Sequence, residues 1–301
     1  MRTILILALA ATAVVVQACA GQAGSDPDGR TSVVVSFYPL AFAAERIGGD
    51  CVSVTNLTPP GVEPHDLELT PDAVEAIATA DVVLYFGGGF QPAIEEAVQG
   101  AEGQAVDVLG VVSTVPAEGE EAEEGLAVDP HVWLDPSLFA DIVAATADAL
   151  EQTEAVGSCD VSGAQEGLRA DLAELDDDFR TTLGRCERDV IVTTHAAFGY
   201  LAAAHGLRQE AIAGLEPQVE PSARRLAELK AFVVREGIDT IFTEELVSPD
   251  VAETLAAEAD VDTAVLFTIE GLTAEEAAAG EDYFSLMREN LDALRAALGC
   301  A

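Results

Sequence analysis

The chain has 301 residues, of which 50% are apolar, and its 54 acidic and 14 basic residues give a formal net charge of −40. The apolar content excludes general disorder, and the charge would repel nucleic-acid phosphates and anionic membrane surfaces. We therefore expect no nucleic-acid partner. The negative charge would suit a cation, although it equally serves solubility or adaptation to salt.

The first segment along the chain is predicted to be an export signal. One arginine precedes an apolar stretch that is too short and too lightly flanked for a membrane-spanning helix. The small residue before Cys19 resembles a bacterial lipobox, so we expect a signal peptide over 1–18 and a lipid on Cys19 that anchors the protein to the outer face of the cell membrane. Ordinary cleavage near Ala18 or Ala20 is the alternative. Residues 19–30 are predicted to be a flexible polar tether.

Residues 31–160 are predicted to form a first α/β lobe, because apolar strand-like runs alternate with helical segments. The runs are uncharged and rich in β-branched residues, which implies a parallel sheet covered on both faces. An acidic, low-complexity loop at 117–125 interrupts the lobe. The predicted strands are 32–37, 52–57 and 82–86, and the predicted helices are 40–47, a segment from Thr70-Pro71, a segment after 87–89, and 136–150.

One long helix is predicted within residues 161–186, because apolar residues recur there at steps of three and four. These residues are Leu168, Leu172, Leu175, Phe179 and Leu183. A second α/β lobe is predicted over 187–301, with strands at 189–194, 239–243 and 263–267 and helices at 197–205, 222–235, after Ser248-Pro249, and 281–298. The fold class is therefore α/β, with two parallel-sheet lobes joined by one long helix.

Four cysteines besides Cys19 make an even number in an exported chain, as expected for two disulfides. A bond between Cys159 and Cys186 is disfavoured, because the intervening helix spans about 30 Å whereas bonded Cα atoms lie about 5.5 Å apart. Of the two remaining pairings we prefer Cys51 with Cys159 and Cys186 with Cys300, since each bond would then stabilise one lobe.

Three of the four histidines occupy distinctive loops: His65 in GVEPHDLELTP, His131 in VDPHVWLDP and His195 in IVTTHAAFGY. His195 and His65 follow apolar strands, and ligands collect at the carboxyl ends of strands in open parallel sheets. Glu270 follows the strand 263–267 and belongs to the same face. Three imidazoles and one carboxylate suit Zn²⁺ better than Ca²⁺ or Mg²⁺.

Each of these residues also has an ordinary structural interpretation. A single histidine after a strand is more often a hydrogen-bonded loop or core residue than a ligand, and only the combination favours a site. His205, in AAAHGL, is predicted to interact with the end of a helix and is left out of the site. Glu244 and Glu245 follow the strand 239–243 and compete with Glu270, and the pattern alone does not choose among the three.

Several motifs together resemble the zinc-binding branch of the cluster A-I substrate-binding proteins of ABC transporters. They are GVEPHDLELTP, DPHVWLDP, THAAFGYLAAAHGL with GLEPQVEPS, and FTEELVSPDVAETLAAEADV with IEGLT. The likeness covers nearly the whole mature chain. It implies two α/β lobes linked by one long helix, with the metal in the cleft between them.

The resemblance also implies which residues bind the metal. His65 and His131 would be first-lobe ligands and His195 a second-lobe ligand, and His195 favours zinc because manganese-binding relatives typically have glutamate there. Those relatives use an aspartate of an Asp-Pro pair as the last ligand, whereas this chain has the Glu-Gly-Leu-Thr segment that points to Glu270. The loop before His131, often histidine-rich in the family, contains no histidine here.

The function implied is a receptor that binds Zn²⁺ outside the cytoplasmic membrane as transported ligand and delivers it to an ABC permease. We expect a monomer and no enzymatic activity. A manganese-binding receptor of the same family is the first alternative. A zinc-dependent hydrolase is the second, although the sequence has no HExxH motif. A surface adhesin, a role proposed for some relatives, is the third, and it would need an exposed apolar patch.

Overall fold

The computed structural model describes residues 29–117, 122, 125–153, 156–157 and 159–301. The predicted signal peptide, Cys19 with its lipid, and most of the predicted tether lie outside these residues. Most of the acidic loop 117–125 does so as well. Over the part of the chain that is described, no helix has the length and apolar character needed to cross a membrane.

A four-stranded parallel sheet forms the centre of the first lobe. Its strands are β1 (Thr31–Val35), β2 (Val52–Asn56), β3 (Val82–Tyr85) and β4 (Gln104–Asp107). They lie in the order β2, β1, β3, β4, so that β1 and β3 are the inner strands. Val33 in β1 pairs with Val54 on one side and with Val82 on the other. Apolar β-branched residues fill these inner strands because both faces of the sheet are covered.

The first lobe contains the following described helices, two of which begin at the caps that the sequence indicates. They are α1 (Tyr38–Gly48), α2 (Pro71–Thr79), α3 (Pro92–Ala97) and α4 (Pro136–Glu151). The Thr70 hydroxyl accepts the N–H of Ala73 at the start of α2, and the Asp135 carboxylate accepts the N–H of Ser137 at the start of α4. Proline at the first helical position needs no donor there, so both helices start where the pattern predicts.

The long helix α5 (Val161–Leu183) follows the first lobe and packs against α1 and α4. Its apolar stripe is buried as predicted. Disulfides flank the helix at both ends, because Cys159, just before it, is bonded to Cys51, and Cys186, just after it, is bonded to Cys300. These are the two pairings that the sequence favours, and each connects one end of α5 to one lobe.

Two pairs of parallel strands form the second lobe. They are β5 (Val190–Thr193) with β6 (Arg208–Ala211), and β7 (Thr240–Thr243) with β8 (Asp262–Val265). β5 lies beside β7, and just beyond it the Thr194 hydroxyl donates to the Phe242 carbonyl. The helices are α6 (Gly199–Ala204), α7 (Ala223–Glu236), α8 (Asp250–Ala259), α9 (Ala274–Ala279) and α10 (Tyr283–Leu298).

The sequence pattern does not reveal β4 and β6. Their sequences are QAVD and RQEA, which contain no continuous apolar run. Each strand pairs with a single neighbour, β4 with β3 and β6 with β5, and most of their residues are partly exposed. An edge strand of this kind is held by main-chain hydrogen bonds rather than by burial of its side chains, so it leaves little trace in a hydrophobic pattern.

An aromatic cluster lies at the carboxyl end of the first sheet. The ring of Phe37 contacts the rings of Phe86, Phe90 and Trp133 edge-on, with centroid distances of 5.0, 5.3 and 4.9 Å. The imidazole of His65 lies edge-on to Phe90 at 4.8 Å. All four aromatic side chains are almost fully buried, so they form a rigid base beneath the first-lobe histidines.

Candidate metal site

Four side chains from four separate segments converge at one point. They are His65, His131, His195 and Glu270, and their ligand atoms all lie within 4.8 Å of one another. His65 lies in a short 3₁₀ turn after β2, and His131 directly precedes another such turn. His195 and Glu270 follow β5 and β8. Three of the four segments therefore follow strand ends, as the open-sheet rule predicts.

Four of the six distances between these donor atoms are close to those around a small tetrahedral ion. Oε1 of Glu270 lies 3.5 Å from Nε2 of His65, 3.3 Å from Nε2 of His131 and 3.6 Å from Nε2 of His195. The Nε2 atoms of His131 and His195 are 3.2 Å apart. A tetrahedral ion with bonds of about 2.0–2.1 Å separates its ligand atoms by about 3.3 Å. The four donors could thus coordinate such an ion with only small movements.

The cluster is closed to solvent and contains unsatisfied polar atoms. The side chains of His131, His195 and Glu270 are 0% exposed and that of His65 is 1% exposed. Within the described residues, neither carboxylate oxygen of Glu270 has a hydrogen-bond partner, nor does Nε2 of His65. Buried polar groups without partners are unfavourable, so a bound cation would remove a cost that the protein otherwise bears.

Both first-lobe histidines are held by a carboxylate two residues earlier in the chain. Glu63 accepts the main-chain N–H of His65 at 3.1 Å. Asp129 accepts the main-chain N–H of His131 at 3.0 Å and contacts its Nδ1 at 2.7 Å. In both places a proline separates the acid from the histidine, which gives the local motif acid–Pro–His. The proline restricts the backbone, and the acid two residues earlier holds the main-chain N–H of the histidine. Together they restrict the direction of each ring.

The second-lobe ligands are held from distant parts of the chain. Glu244, 49 residues after His195, accepts the His195 N–H at 2.9 Å and contacts Nδ1 of the ring at 2.6 Å. Glu245 accepts the N–H groups of Thr268 and Ile269, next to Glu270, at 3.3 and 3.2 Å. Neither Glu244 nor Glu245 is a member of the four-residue cluster, so of the three competing glutamates the structure brings only Glu270 to the shared point.

A carboxylate lies at the Nδ1 atom of every histidine in the cluster. For His65 this carboxylate belongs to Glu216, at 3.2 Å. At His131 and His195 this contact is a hydrogen bond, which fixes the tautomer and turns Nε2 toward the common point, as carboxylate partners do for metal-binding histidines, whereas Glu216 lies beside Nδ1 of His65 without hydrogen-bond geometry. The sequence pattern missed Glu216 and Glu63, whereas the repeated acid–Pro–His motif could have identified Glu63 and Asp129. Asp66, which directly follows His65 in the chain, is exposed.

His205 lies outside the cluster, as expected. It ends α6 and packs against Phe179 of α5, with a ring centroid distance of 5.4 Å. Its Nε2 lies 3.7 Å from Asp176. Burial lowers the pKa of His205, so the ring is neutral at pH 7 and serves as an aromatic packing residue on the long helix.

The charges of the cluster residues depend strongly on one another. Burial lowers the pKa of His65, but the contacts with Glu216 and Glu270 outweigh it and raise that pKa to about 10. His195 behaves in the same way, because burial is outweighed by Glu244 and its pKa is raised well above the usual value. Burial raises the pKa of Glu270, and the three histidines lower it well below its usual range. Without an ion, protons on His65 and His195 therefore balance part of the carboxylate charge.

The chemistry of the donors selects the class of ligand. Three imidazole nitrogens and one carboxylate oxygen suit a borderline-soft ion with tetrahedral preference, whereas Ca²⁺ and Mg²⁺ require six or more oxygens. Four protein donors also complete a tetrahedral sphere. A catalytic zinc site usually keeps one position for water, so this donor set is typical of a site that holds an ion rather than of one that activates water.

Comparison with known proteins supports this interpretation. The family model described as "Zinc-uptake complex component A periplasmic" matches residues 33–297. The chain is 37% identical to the high-affinity zinc uptake system protein ZnuA of Bacillus subtilis, and the alignment covers 96% of both chains. It is 34% identical to the zinc-binding lipoprotein AdcA of Streptococcus pneumoniae, over 98% of this chain but 61% of AdcA.

The solved structures agree in fold. The Zn(II)-bound ZnuA-like domain of Streptococcus pneumoniae AdcA superimposes with a TM-score of 0.77 at 33% identity, over 89% of this chain and 99% of that domain. The family match covers most of the residues that the structure describes, including both lobes and the four converging side chains. The chain therefore belongs to the family of zinc-uptake complex component A, the zinc-binding branch of the cluster A-I substrate-binding proteins.

Proposed function

We propose that this protein is a high-affinity receptor that binds Zn²⁺ outside the cytoplasmic membrane and delivers it for import. The observation that carries the proposal is the convergence of three Nε2 atoms and one carboxylate at a buried point with tetrahedral spacing. Membership of the zinc-uptake family supports the same function. In this role zinc is the transported ligand, and the protein is not an enzyme.

The four metal ligands are His65, His131, His195 and Glu270. In the proposed domain organisation, the first-lobe unit 31–160 supplies the first two and the second-lobe unit 187–301 supplies the others, while 161–186 is the connecting segment. Support comes from α5, which fills most of 161–186 and is flanked by one disulfide at each end. Because the ligands come from both lobes, a bound ion would connect the lobes across the cleft.

The membrane partner is a permease of the ABC class, which would receive the ion from this site. We propose that residues 1–18 are a signal peptide, that Cys19 carries a lipid and that 19–30 is the tether that holds the receptor at the outer face of the membrane. The name of the pneumococcal relative, a zinc-binding lipoprotein, supports the lipid. A monomer is proposed, because a receptor with a single metal site can present that site to the transporter without a second subunit.

Zinc is favoured over manganese by the nitrogen-rich donor set. Mn²⁺ prefers oxygen ligands and a larger coordination number, whereas the described cluster offers three nitrogens and one oxygen in a closed cavity. His195 decides this point, because a carboxylate in its place would convert the set to two nitrogens and two oxygens. Its Glu244 partner then fixes the ring so that Nε2 faces that position.

A competitive titration tests the proposal. The tag-free protein from residue 20 onward is titrated with Zn²⁺ and Mn²⁺ against a chelator of known affinity, and the titration is repeated with His195→Ala. We expect the wild type to prefer zinc over manganese. We expect His195→Ala to bind zinc more than about 100-fold more weakly, which is a larger loss than removal of a residue that only hydrogen-bonds to a metal ligand would cause. His205→Ala is the matched control, since it removes a buried histidine outside the cluster. A wild type that prefers manganese, or His195→Ala with unchanged zinc affinity, would contradict the proposal.

A further inference from the structure

The segment that presents Glu270 has an unusual backbone. Ile269, directly before Glu270, has a φ of 54° and is fully buried. This left-handed region is unfavourable for a β-branched residue, because the side chain crowds the main chain. Such a conformation persists only where the surrounding structure imposes it. The position of the Glu270 carboxylate therefore depends on the groups that hold residues 267–269.

Three side chains from outside the segment hold it. Glu245 uses Oε1 to accept the Ile269 N–H at 3.2 Å and the Thr268 hydroxyl at 3.3 Å, and Oε2 to accept the Thr268 N–H at 3.3 Å. The Trp133 indole donates to the Thr268 carbonyl at 2.8 Å. The Asn290 side chain accepts the Phe267 N–H at 2.7 Å and donates to the Phe267 carbonyl at 2.8 Å. Every polar main-chain group of Thr268 is thus bound by a side chain.

Trp133 also connects Glu270 with a ligand of the other lobe. It lies two residues after His131, is fully buried, and contacts the His131 ring at a centroid distance of 5.2 Å. Its own carbonyl accepts the hydroxyl of Tyr283 at 2.7 Å, which fixes the tryptophan in place. The indole N–H of Trp133 therefore connects the His131 segment of the first lobe with the Glu270 segment of the second.

We propose that Glu245 and Trp133 are positioning residues that hold the Thr268–Ile269 backbone, so that Glu270 coordinates the ion through one fixed oxygen and the site favours four-coordinate zinc over six-coordinate manganese. This inference rests on the proposed function. A ligand that can swing away or turn to bind through both oxygens leaves room for water and for a higher coordination number, which Mn²⁺ prefers. A fixed carboxylate excludes that arrangement.

The test uses Co²⁺ as the probe, because the intensity of its visible absorption reports the coordination number directly. Wild type, Glu245→Ala, Glu245→Gln and Trp133→Phe are loaded with Co²⁺, and zinc and manganese affinities are measured in parallel. Asp107→Ala is the matched control, since the Asp107 carboxylate also accepts main-chain N–H groups, those of Gly87, Leu109 and Gly110, in the first lobe away from the cluster. Thermal unfolding of each variant measures any loss of stability.

We expect intense, tetrahedral-type absorption from the wild type and weaker absorption from Glu245→Ala and Trp133→Phe. Zinc affinity should fall by about 10- to 100-fold in Glu245→Ala, as for other outer contacts of metal ligands, with a smaller fall for manganese and hence a lower zinc preference. Glu245→Gln should recover part of the affinity, because its amide oxygen can still accept the Ile269 N–H. Asp107→Ala should lose stability but stay within about twofold in zinc affinity, since distant sites act independently.

The outcomes separate this inference from the function on which it rests. A wild type that binds neither Co²⁺ nor Zn²⁺ tightly would overturn both. If the wild type binds zinc with tetrahedral-type absorption and the Glu245 and Trp133 variants keep that spectrum and the zinc preference, the positioning role is wrong while the function stands. The positioning role is equally wrong if Asp107→Ala reduces the zinc preference as much as Glu245→Ala, because the effect would then reflect general destabilisation.

Discussion

The two lobes hold their proposed metal ligands in different ways. In the first lobe each histidine belongs to an acid–Pro–His motif, and the acid is only two residues away. In the second lobe the supporting carboxylates come from far along the chain, 49 residues away for His195 and 23 to 24 residues away for the segment before Glu270. The first-lobe histidines are therefore held mainly by local structure, although the His65 ring also contacts Glu216 of the second lobe at 3.2 Å, whereas His195 and the segment before Glu270 depend on tertiary packing.

This difference indicates which half of the site changes when the ion binds or leaves. Local turns stiffened by proline keep their shape whenever the first lobe is folded. Long-range hydrogen bonds to His195 and to residues 268–269 require β5, β7 and β8 to stay in register. We infer that the first lobe provides a preformed pair of ligands and that small movements within the second lobe complete or open the site.

The largest expected effect comes from removing a ligand of either lobe. Glu270→Ala and His131→Ala should each weaken zinc binding by more than about 100-fold, because a four-donor site loses a direct bond to the ion. This loss exceeds the roughly 10- to 100-fold loss that follows mutation of a residue that only hydrogen-bonds to a metal ligand. Chelator competition measures the affinity. Retention of tight zinc binding by either variant would show that the donor is not part of the site.

A smaller effect distinguishes the lobes. Glu244→Ala should weaken zinc binding more than Asp129→Ala does, although both lie in the range of about 10- to 100-fold for outer contacts. Each change removes a carboxylate from an Nδ1 atom, but Pro130 continues to restrict the His131 segment, whereas His195 has no neighbouring proline. Parallel titrations measure the two affinities. Equal losses, or a larger loss for Asp129→Ala, would remove the proposed difference between the lobes.

The pH dependence involves one histidine from each lobe. The carboxylates raise the pKa of His65 to about 10 and that of His195 well above its usual value, so both rings are protonated at pH 7 without an ion. A histidine binds zinc only when neutral, so binding releases protons and affinity rises with pH. Each released proton makes the affinity about tenfold higher per pH unit.

Calorimetry in two buffers of different ionisation enthalpy counts these protons. We expect release of at least one proton per zinc at pH 7 and a smaller release in His65→Ala. The control His205→Ala should release as many protons as the wild type, because burial lowers the pKa of that ring and it is already neutral. A zinc affinity that does not change between pH 6 and 8 would contradict the linkage.

The smallest effect on zinc binding is expected from the disulfides, which lie one in each lobe. Replacing Cys51 and Cys159 by serine, or Cys186 and Cys300, should each lower the free energy of unfolding by about 2–4 kcal/mol. The two losses should be similar, because the bonds close loops of similar length, with sequence separations of 108 and 114. Denaturant unfolding measures the stability, and zinc titration should show little change. A large loss of affinity from one pair alone would show that the pair also positions a ligand.

The comparison of the lobes also explains what the sequence could predict. The helices and the apolar strands follow from local periodicity and caps, as at Thr70-Pro71 and Asp135-Pro136, and the structure places them within a few residues of the prediction. The edge strands β4 and β6 lack an apolar run, so their existence depends on pairing with a neighbour that the pattern does not show.

The residues of the candidate site also fall into two groups, those that the sequence predicts and those whose role only the structure shows. The three histidines stand out because each lies in a distinctive loop, whereas Glu270 is singled out by the resemblance of its Glu-Gly-Leu-Thr segment, and the structure brings the four residues together. The supporting groups were harder to find. Glu244 and Glu245 looked like rival ligands in the sequence, and only the folded second lobe shows that one contacts the His195 ring and the other holds the main chain before Glu270.

Anomalous diffraction at the zinc edge from crystals of the zinc-loaded protein shows which atoms bind the ion. We expect one strong peak, located about 2.0–2.2 Å from Nε2 of His65, His131 and His195 and from a carboxylate oxygen of Glu270. A peak bound by other residues, or one that lacks any of these four donors, would contradict the proposed site.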